Sequence, residues 1–364
     1  MSKQRAVGEP MREQIRGQPV ALRALLARRG EISARIAAAS GEARKPRRVW
    51  AVGHGDSYFA PLAAADAFRR WTVVPYTPVL AQEMAAYPPP ELEHGALVIA
   101  VSMSGGVGRS VAAAQTAKDR GARVLAITNT PNSPLSRVAH ETIILNIVEA
   151  APFLAGTVTY TASVLALWMI ATHLSDGQTR GDSKTEVLAA AVGSLESALA
   201  SEAVLREWTA AHVAAPVWYI LGMGPQEATA RYGAAKLVEV ADVVAVAHET
   251  EEFFHEHHWV VTPGHPVVIL AHDVPSQQRA AAAVAHLTEL GIPVVTIGSC
   301  ETETARNGVL AVPIPAMEPW AAPLAGAVPL QWLAYWLSRA RGLNPDLRSH
   351  LRASARYVVS RKYR

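Results

Sequence analysis

The strongest constraint on this chain is a pattern that occurs twice. Trp50-Ala51-Val52 runs into Gly53-His54-Gly55, and Trp218-Tyr219-Ile220-Leu221 runs into Gly222-Met223-Gly224. Gly53 and Gly222 are 169 residues apart (222 − 53). The same step carries Val98-Ile99-Ala100 onto Val267-Val268-Ile269, and Leu125-Ala126-Ile127 onto Val294-Val295-Thr296. One offset across three apolar runs points to a duplicated domain with no net insertion between those markers.

Each run is short, and turn residues and then a helical pattern follow it. Such strand–loop–helix units build a parallel sheet covered on both faces. The expected fold class is therefore α/β: two tandem domains, each a parallel sheet flanked by helices in three layers. In the first copy, strands are predicted at Val49–Val52, Val73–Tyr76, Leu97–Val101 and Val124–Thr128. Helices are predicted over Tyr58–Arg69 and Arg109–Arg120. Ahead of them, Met11–Ala39 reads as two or three helices, broken at Gly17 and Pro19 and again near Gly30. Asp176–Lys184 reads as a polar linker, Leu188–Trp208 as one long helix and Pro329–Trp336 as a closing helix. The expected division is N-terminal helices at 1–40, a first domain at 41–175, a linker and connecting helix at 176–208, a second domain at 209–342 and a tail at 343–364.

A length of 364 residues suits about two domains, and with 50% hydrophobic residues a large core is available. The net charge of +3 is small, and its densest run, Arg44, Lys45, Arg47 and Arg48, has no nucleic-acid motif beside it. No nucleic-acid partner is expected. Cys300 is the lone cysteine, so neither an intrachain disulfide nor a cysteine-based zinc site is expected. The N-terminus is polar, and the longest helical apolar run, Val164–Ile170, is far too short to span a bilayer. These features predict a cytoplasmic protein with no membrane partner.

Three clusters carry candidate chemistry. Lys236 and Glu239 are three apart and share a helical face. Two readings compete: a solvated surface pair, or a carboxylate placed for proton transfer with a lysine that keeps it ionised. His255 follows Glu239 by sixteen residues, inside the titratable run Glu251–His258, and histidine titrates near neutral pH. The spacing of His255-Glu256-His257-His258 matches no zinc pattern, so no metal is predicted, and His248, His257 and His258 are read as structural or solvent-facing. Ser102-Met103-Ser104-Gly105 sits where a strand turns into a helix, which suits either an anion-binding loop or an ordinary turn with a serine cap. Arg109, one turn into that helix, is a candidate grip on phosphate, sulfonate or carboxylate. The second copy has Ala271-His272-Asp273 there, and Asp273 would repel an anion, so one anion loop per chain is expected. A dinucleotide reading of Gly53-His54-Gly55 fails because Tyr58 replaces the third glycine.

Set in order, these motifs resemble the double-SIS (sugar isomerase) family. The likeness rests on Met11-Arg12-Glu13-Gln14-Ile15 with Gln18-Pro19, Gly55-Asp56-Ser57-Tyr58, Ser102-Met103-Ser104-Gly105 and Thr128-Asn129. It continues through Ala235-Lys236-Leu237-Val238-Glu239 with His255, and Pro329-Leu330-Gln331 with Ala334-Tyr335. The resemblance implies that Gly55 and Ser57 touch the sugar and that Ser102, Met103, Ser104 and Gly105 hold its phosphate. It implies catalysis by Glu239, Lys236 and His255, with the histidine reaching in from a neighbouring subunit, hence a homodimer with shared active sites. A tail lysine, Lys362 beside Arg361, would close over the substrate, and no cofactor is implied. The chain departs from the pattern at Val107, where the family has a threonine, and at Gly156, where it has a serine. The sequence shows no glutaminase domain with an N-terminal catalytic cysteine. The expectation is therefore a ketosamine deglycase or an aldose–ketose isomerase, acting on an anionic sugar or sugar-amine through an enolamine or enediol. The alternatives are isomerisation of an unphosphorylated or sulfonated sugar, and a sugar-phosphate sensor without turnover.

Overall fold

The computed structural model describes residues 6–41, 45–151, 154–175, 181–299 and 309–346, with the backbone only at 181–183. By contact the described chain forms two units. One draws on Val20–Val148 and Val158–Ala189, the other on Met1–Pro19, Glu149–Thr157 and Ala190–His350.

Two helices lead, α1 (Glu9–Ala27) and α2 (Arg29–Ser40). The first sheet comprises β1 (Arg48–Gly53), β2 (Tyr76–Leu80), β3 (Ala96–Val101), β4 (Arg123–Thr128) and β5 (Glu141–Ile144). Between and after these strands come α3 (Asp56–Trp71), α4 (Ala81–Ala86), α5 (Gly108–Asp119), α6 (Pro134–Val138) and α7 (Val158–His173). Two more helices, α8 (Gly181–Leu199) and α9 (Glu202–Ala211), precede the second sheet. That sheet comprises β6 (Val217–Gly222), β7 (Val244–Glu249), β8 (Val267–Ala271), β9 (Val294–Gly298) and β10 (Leu310–Pro313). Its helices are α10 (Pro225–Ala241), α11 (Glu252–His255), α12 (Val274–Glu289) and α13 (Ala322–Ala340).

Every described strand pairing is parallel, and both sheets have one order: β2-β1-β3-β4-β5, and β7-β6-β8-β9-β10. The α/β expectation holds. Alternate side chains on a strand point to opposite faces, so a doubly covered strand must be apolar throughout. β3 shows this, with all of Ala96–Val101 buried. On one face of the first sheet, Trp50, Val52, Val98 and Ala126 pack with Met84, Ala113 and Ala117 of α4 and α5. The second sheet repeats the scheme, with Tyr219, Leu221, Val267 and Ile269 against Ala280, Ala283 and Leu287 of α12. Helix α7 is apolar on all sides and buried from Val158 to Ala171, as a core helix should be.

The register tests the repeat directly. Val49 pairs with Tyr76 and Trp50 with Val98; 169 residues on, Trp218 pairs with Ala245 and Tyr219 with Val267. The fourth strand departs from this step. Val98 pairs with Val124, but Val267 pairs with Val294, an offset of 170 (294 − 124). A one-residue insertion therefore precedes β9, and the expectation of no net insertion fails at that marker.

Three further expectations are corrected. Helix α1 runs unbroken through Gly17 and Pro19, while the break expected near Gly30 falls at Arg28. Proline at 19 has no N–H for the carbonyl four residues back, Ile15 O. The Gln18 side chain supplies the missing donor, Nε2 to Ile15 O at 2.9 Å. The second strand is Tyr76–Leu80 rather than Val73–Tyr76, because Val73 is 80% exposed and the pairing with β1 starts at Tyr76. As an edge strand it tolerates Pro78. The single helix expected over Leu188–Trp208 is divided at Ala200–Ser201 into α8 and α9. No single helix among the described residues is long and apolar enough to cross a membrane.

Candidate functional site

In a sheet of order 2-1-3-4-5, chain connections diverge between the first and third strands, and ligands bind beyond their carboxyl ends. In the first unit those ends carry Gly53-His54-Gly55 and the loop Ser102–Val107. The β1 turn is tight: a Cβ at Gly53 would lie 2.0 Å from the Ser57 carbonyl oxygen. Gly222 repeats this, 2.3 Å from the Gln226 carbonyl oxygen. Gly55 caps α3 without a side-chain bond, and Ser57 is half-buried in its first turn.

The Ser102–Val107 loop is fixed by its backbone. Ser102 N–H donates to Ile127 O at 3.0 Å and Gly105 N–H to Ser102 O at 2.9 Å. The Met103 carbonyl accepts from Asn129 N–H at 2.9 Å and the Thr128 hydroxyl at 3.0 Å, so Thr128-Asn129 braces the loop from below. Gly105 has φ +57°, and a Cβ there would lie 2.1 Å from Ser133 Oγ, so the position admits only glycine without rearrangement. The Ser104 hydroxyl, in an exposed position, accepts from Gly106 N–H at 3.2 Å.

This loop has the features an anion needs. Helix α5 starts after Val107, which makes no side-chain cap, so its first N–H groups point outward uncapped. The Ser102 hydroxyl is buried with no hydrogen-bond partner among the described residues. An unpaired buried hydroxyl costs about 1–3 kcal/mol, which a bound acceptor would recover. Arg109 is exposed, in the first turn of α5, and in no ion pair among the described residues.

His54 is a residue that sequence reasoning passed over. Its Nε2 is buried and unpartnered among the described residues. Burial, and then the Arg109 guanidinium, hold the imidazole below its ordinary pKa, leaving it neutral at neutral pH. The signal was present in the sequence as the residue between two glycines at the end of β1.

In the second unit, Lys236 and Glu239 lie on α10 and form an ion pair. The lysine side chain is 2% exposed and the glutamate 27%, which rules out a freely solvated pair. The lysine ammonium also lies 5.4 Å from the centre of the Tyr232 ring. Tyr232 belongs to a buried polar chain: Gln18 Nε2 donates to Gln331 Oε1 at 2.7 Å, and Gln331 Nε2 to the Tyr232 hydroxyl at 3.0 Å. The Tyr232 hydroxyl then donates to Gly156 O at 2.7 Å. Gly156 thus contributes its carbonyl here. The sequence motifs named Gln18, Gly156 and Gln331, but nothing in their spacing links them.

His255 ends the short helix α11, with its side chain 66% exposed and Nε2 3.4 Å from Glu251 Oε1. Lys362 and Arg361 lie outside the described residues.

The second unit's counterpart of the anion loop is closed by its own side chains. Asp273 caps α12, its Oδ1 accepting from Ser276 N–H at 3.0 Å, while the Ser276 hydroxyl accepts from Asp273 N–H at 3.1 Å. Behind it, His272 pairs with Gln226 at 2.7 Å, and burial pushes the imidazole pKa down to about 4.

A family model described as SIS domain matches residues 43–173 and 215–340. The chain is 28% identical over 310 residues to the glutamine–fructose-6-phosphate aminotransferase (isomerizing) of Zymomonas mobilis subsp. mobilis, covering 82% of this chain and 50% of that protein. It thus spans about half the length of the curated relatives it matches. Among solved structures, it resembles the C-terminal domain of glucosamine-fructose-6-phosphate aminotransferase from Francisella tularensis with TM-score 0.78 at 20% identity, covering 94% of this chain and 100% of that one. Tagatose-6-phosphate ketose/aldose isomerase from Escherichia coli gives TM-score 0.75 at 18% identity, covering 96% and 98%. These structures share its fold. With both α/β repeats matched by the family model, the chain belongs to the SIS domain family.

Proposed function

We propose that this protein is a sugar-converting enzyme, a ketosamine deglycase or aldose–ketose isomerase, acting on a sugar that carries an anionic group. The observation that carries this reading is the Lys236–Glu239 pair: a buried ammonium beneath a carboxylate that solvent still reaches. Burying a lysine has a large desolvation cost, and pairing with Glu239 offsets it. The glutamate is thereby kept anionic and aimed, as a proton carrier requires.

In the proposed reaction, Glu239 removes a proton next to the carbonyl and returns it to the neighbouring carbon. Lys236 stabilises the negative charge that develops between these steps. For a ketosamine the intermediate is an enolamine, and water then releases the amine from the resulting imine. His255 assists ring opening from a partner subunit; its 66% exposed side chain supports that assignment. Ser102, Met103, Ser104 and Gly105, with Arg109, hold the anion, Gly55 and Ser57 meet the sugar, and Lys362 closes over it. The names of the relatives, an isomerizing aminotransferase of fructose 6-phosphate among them, support a phosphosugar as the substrate class.

A second reading rests on Val107, which caps α5 without a hydroxyl. That loss fits a sulfonated or unphosphorylated sugar, with Arg109 as the main grip on any anion.

The deciding experiment is Glu239→Gln. An enzyme loses turnover by roughly 10²–10⁴ and still binds its ligand. A sensor without turnover responds to ligand as before, which would refute the proposal. The ligand is sought by thermal stabilisation in a panel of ketosamines, sugar phosphates and sugar sulfonates.

A further inference from the structure

The segment after α11 brings together three side chains that the proposed reaction does not use. His248 stands near the end of β7, and Glu256 and His257 follow α11. His248 Nδ1 lies 3.7 Å from Glu256 Oε2, and His257 Nδ1 lies 3.6 Å from the same oxygen. One potential ligand atom from each residue falls within 4.8 Å of the others. The two imidazole rings are 4.3 Å apart at their centres and tilted by 46°.

These separations are too long for hydrogen bonds. They are close to what a metal ion would need: with metal–nitrogen and metal–oxygen bonds of about 2.0–2.1 Å, tetrahedral ligands stand roughly 3.3 Å apart. His257 Nδ1 is buried and has no hydrogen-bond partner, and His248 Nε2 is likewise unpartnered among the described residues. Glu256 is 50% exposed, which leaves an approach for the ion and a place for water as a fourth ligand.

We infer that His248, Glu256 and His257 form a binding site for a divalent transition-metal ion, with zinc the best match to two imidazoles and one carboxylate. The sequence conceals the site because its first ligand lies on a strand eight residues before the second (256 − 248). A bound ion would tie the end of β7 to the chain directly following His255. It would thereby anchor the segment that presents that histidine. The inference stands whether or not the proposed reaction is correct.

The test uses the full chain, free of any histidine tag, stripped with a chelator and dialysed against zinc. The expected result is about one zinc ion per chain, with affinity reduced at least tenfold by His257→Ala and by Glu256→Gln. His258→Ala, which alters a neighbour outside the trio, should leave binding unchanged. Cobalt titrated into the wild-type chain should give the intense visible bands of a tetrahedral site, a readout that needs no variant to fold. Zinc binding that survives both trio substitutions, or that His258→Ala abolishes, would overturn the assignment. So would the absence of cobalt bands at saturating cobalt.

Discussion

The two sheets share strand order and most of their register, yet the loops after their third strands are built for opposite purposes. In the first unit, the residues 102–107 separate β3 from α5, and they include a left-handed glycine and an unpaired buried hydroxyl. In the second, only His272 and Asp273 separate β8 from α12, and Asp273 occupies its own helix N-terminus. A helix start draws an anion either from outside or from its own chain, and each copy has settled on one source. Duplication supplied two equivalent positions, and the loop length decides which one remains open.

The comparison can be broken most severely at Gly105. Gly105→Ala should cost roughly 2–4 kcal/mol in denaturant unfolding, from the left-handed backbone and the clash with Ser133. Val274→Ala, 169 residues on and already helical, should cost far less. Equal costs at the two positions would show that the first loop is not the constrained one.

The next effect is the pH dependence that His272 gives the second copy. His272 is buried and its pKa falls from 6.5 to about 4. The unfolded chain binds this proton below about pH 6.5, and the folded chain does so only near pH 4. Its contribution is thus fully present above the unfolded value and is lost as pH falls through this window. The loss should total about 3 kcal/mol. His272→Met, which installs the first copy's Met103, should flatten the stability curve between pH 6.5 and 4, even though Gln226 loses its partner. An unchanged slope in urea titrations would assign the effect to other groups.

Arg109→Ala should weaken phosphate or sugar-phosphate binding roughly ten- to hundredfold by calorimetry, the value of one charge-assisted contact. Unaltered affinity would remove Arg109 from the anion site. The smallest effect is expected at Asp273→Ala, about 1 kcal/mol for a lost helix cap, with anion affinity untouched. A change in that affinity would mean that the second loop also takes part.

Much of the fold was legible because parallel strands buried on both faces must be apolar and must be followed by turns. The duplication was legible for the same reason, and its 169-residue step recurs in the observed pairs Trp50–Val98 and Tyr219–Val267. Its one slip, the extra residue before β9, lies in a stretch where either offset places apolar residues on the strand. The broken reading of α1 had a different cause. Proline ordinarily disrupts a helix interior, and only the conformation shows Gln18 taking over the donor role. Asp273 and Ser104 were distinguishable as residues, but the shorter loop before α12 rests on a capping box that joins Asp273 to Ser276, which spacing alone does not show. Lys236 and Glu239 were correctly paired. Spacing along a helix fixes which residues share a face but says nothing of its depth, so the lysine's burial was invisible. His54 was legible by position, between two glycines at the end of β1, but its orphaned ring nitrogen is a fact of packing.

The hydrogen bond between Gln18 and Gln331 spans 313 residues of chain. On the ribosome, the unit built around the first sheet has its described segments, Val20–Val148 and Val158–Ala189, in hand before the second sheet is made. The other unit takes its opening helical turns from residues made before the first sheet and its last helix from residues made after the second. Those opening turns must wait for Gln331 until both sheets have emerged. Nascent chains arrested between these two points should therefore protect the first sheet from protease while leaving the start of α1 open to cleavage.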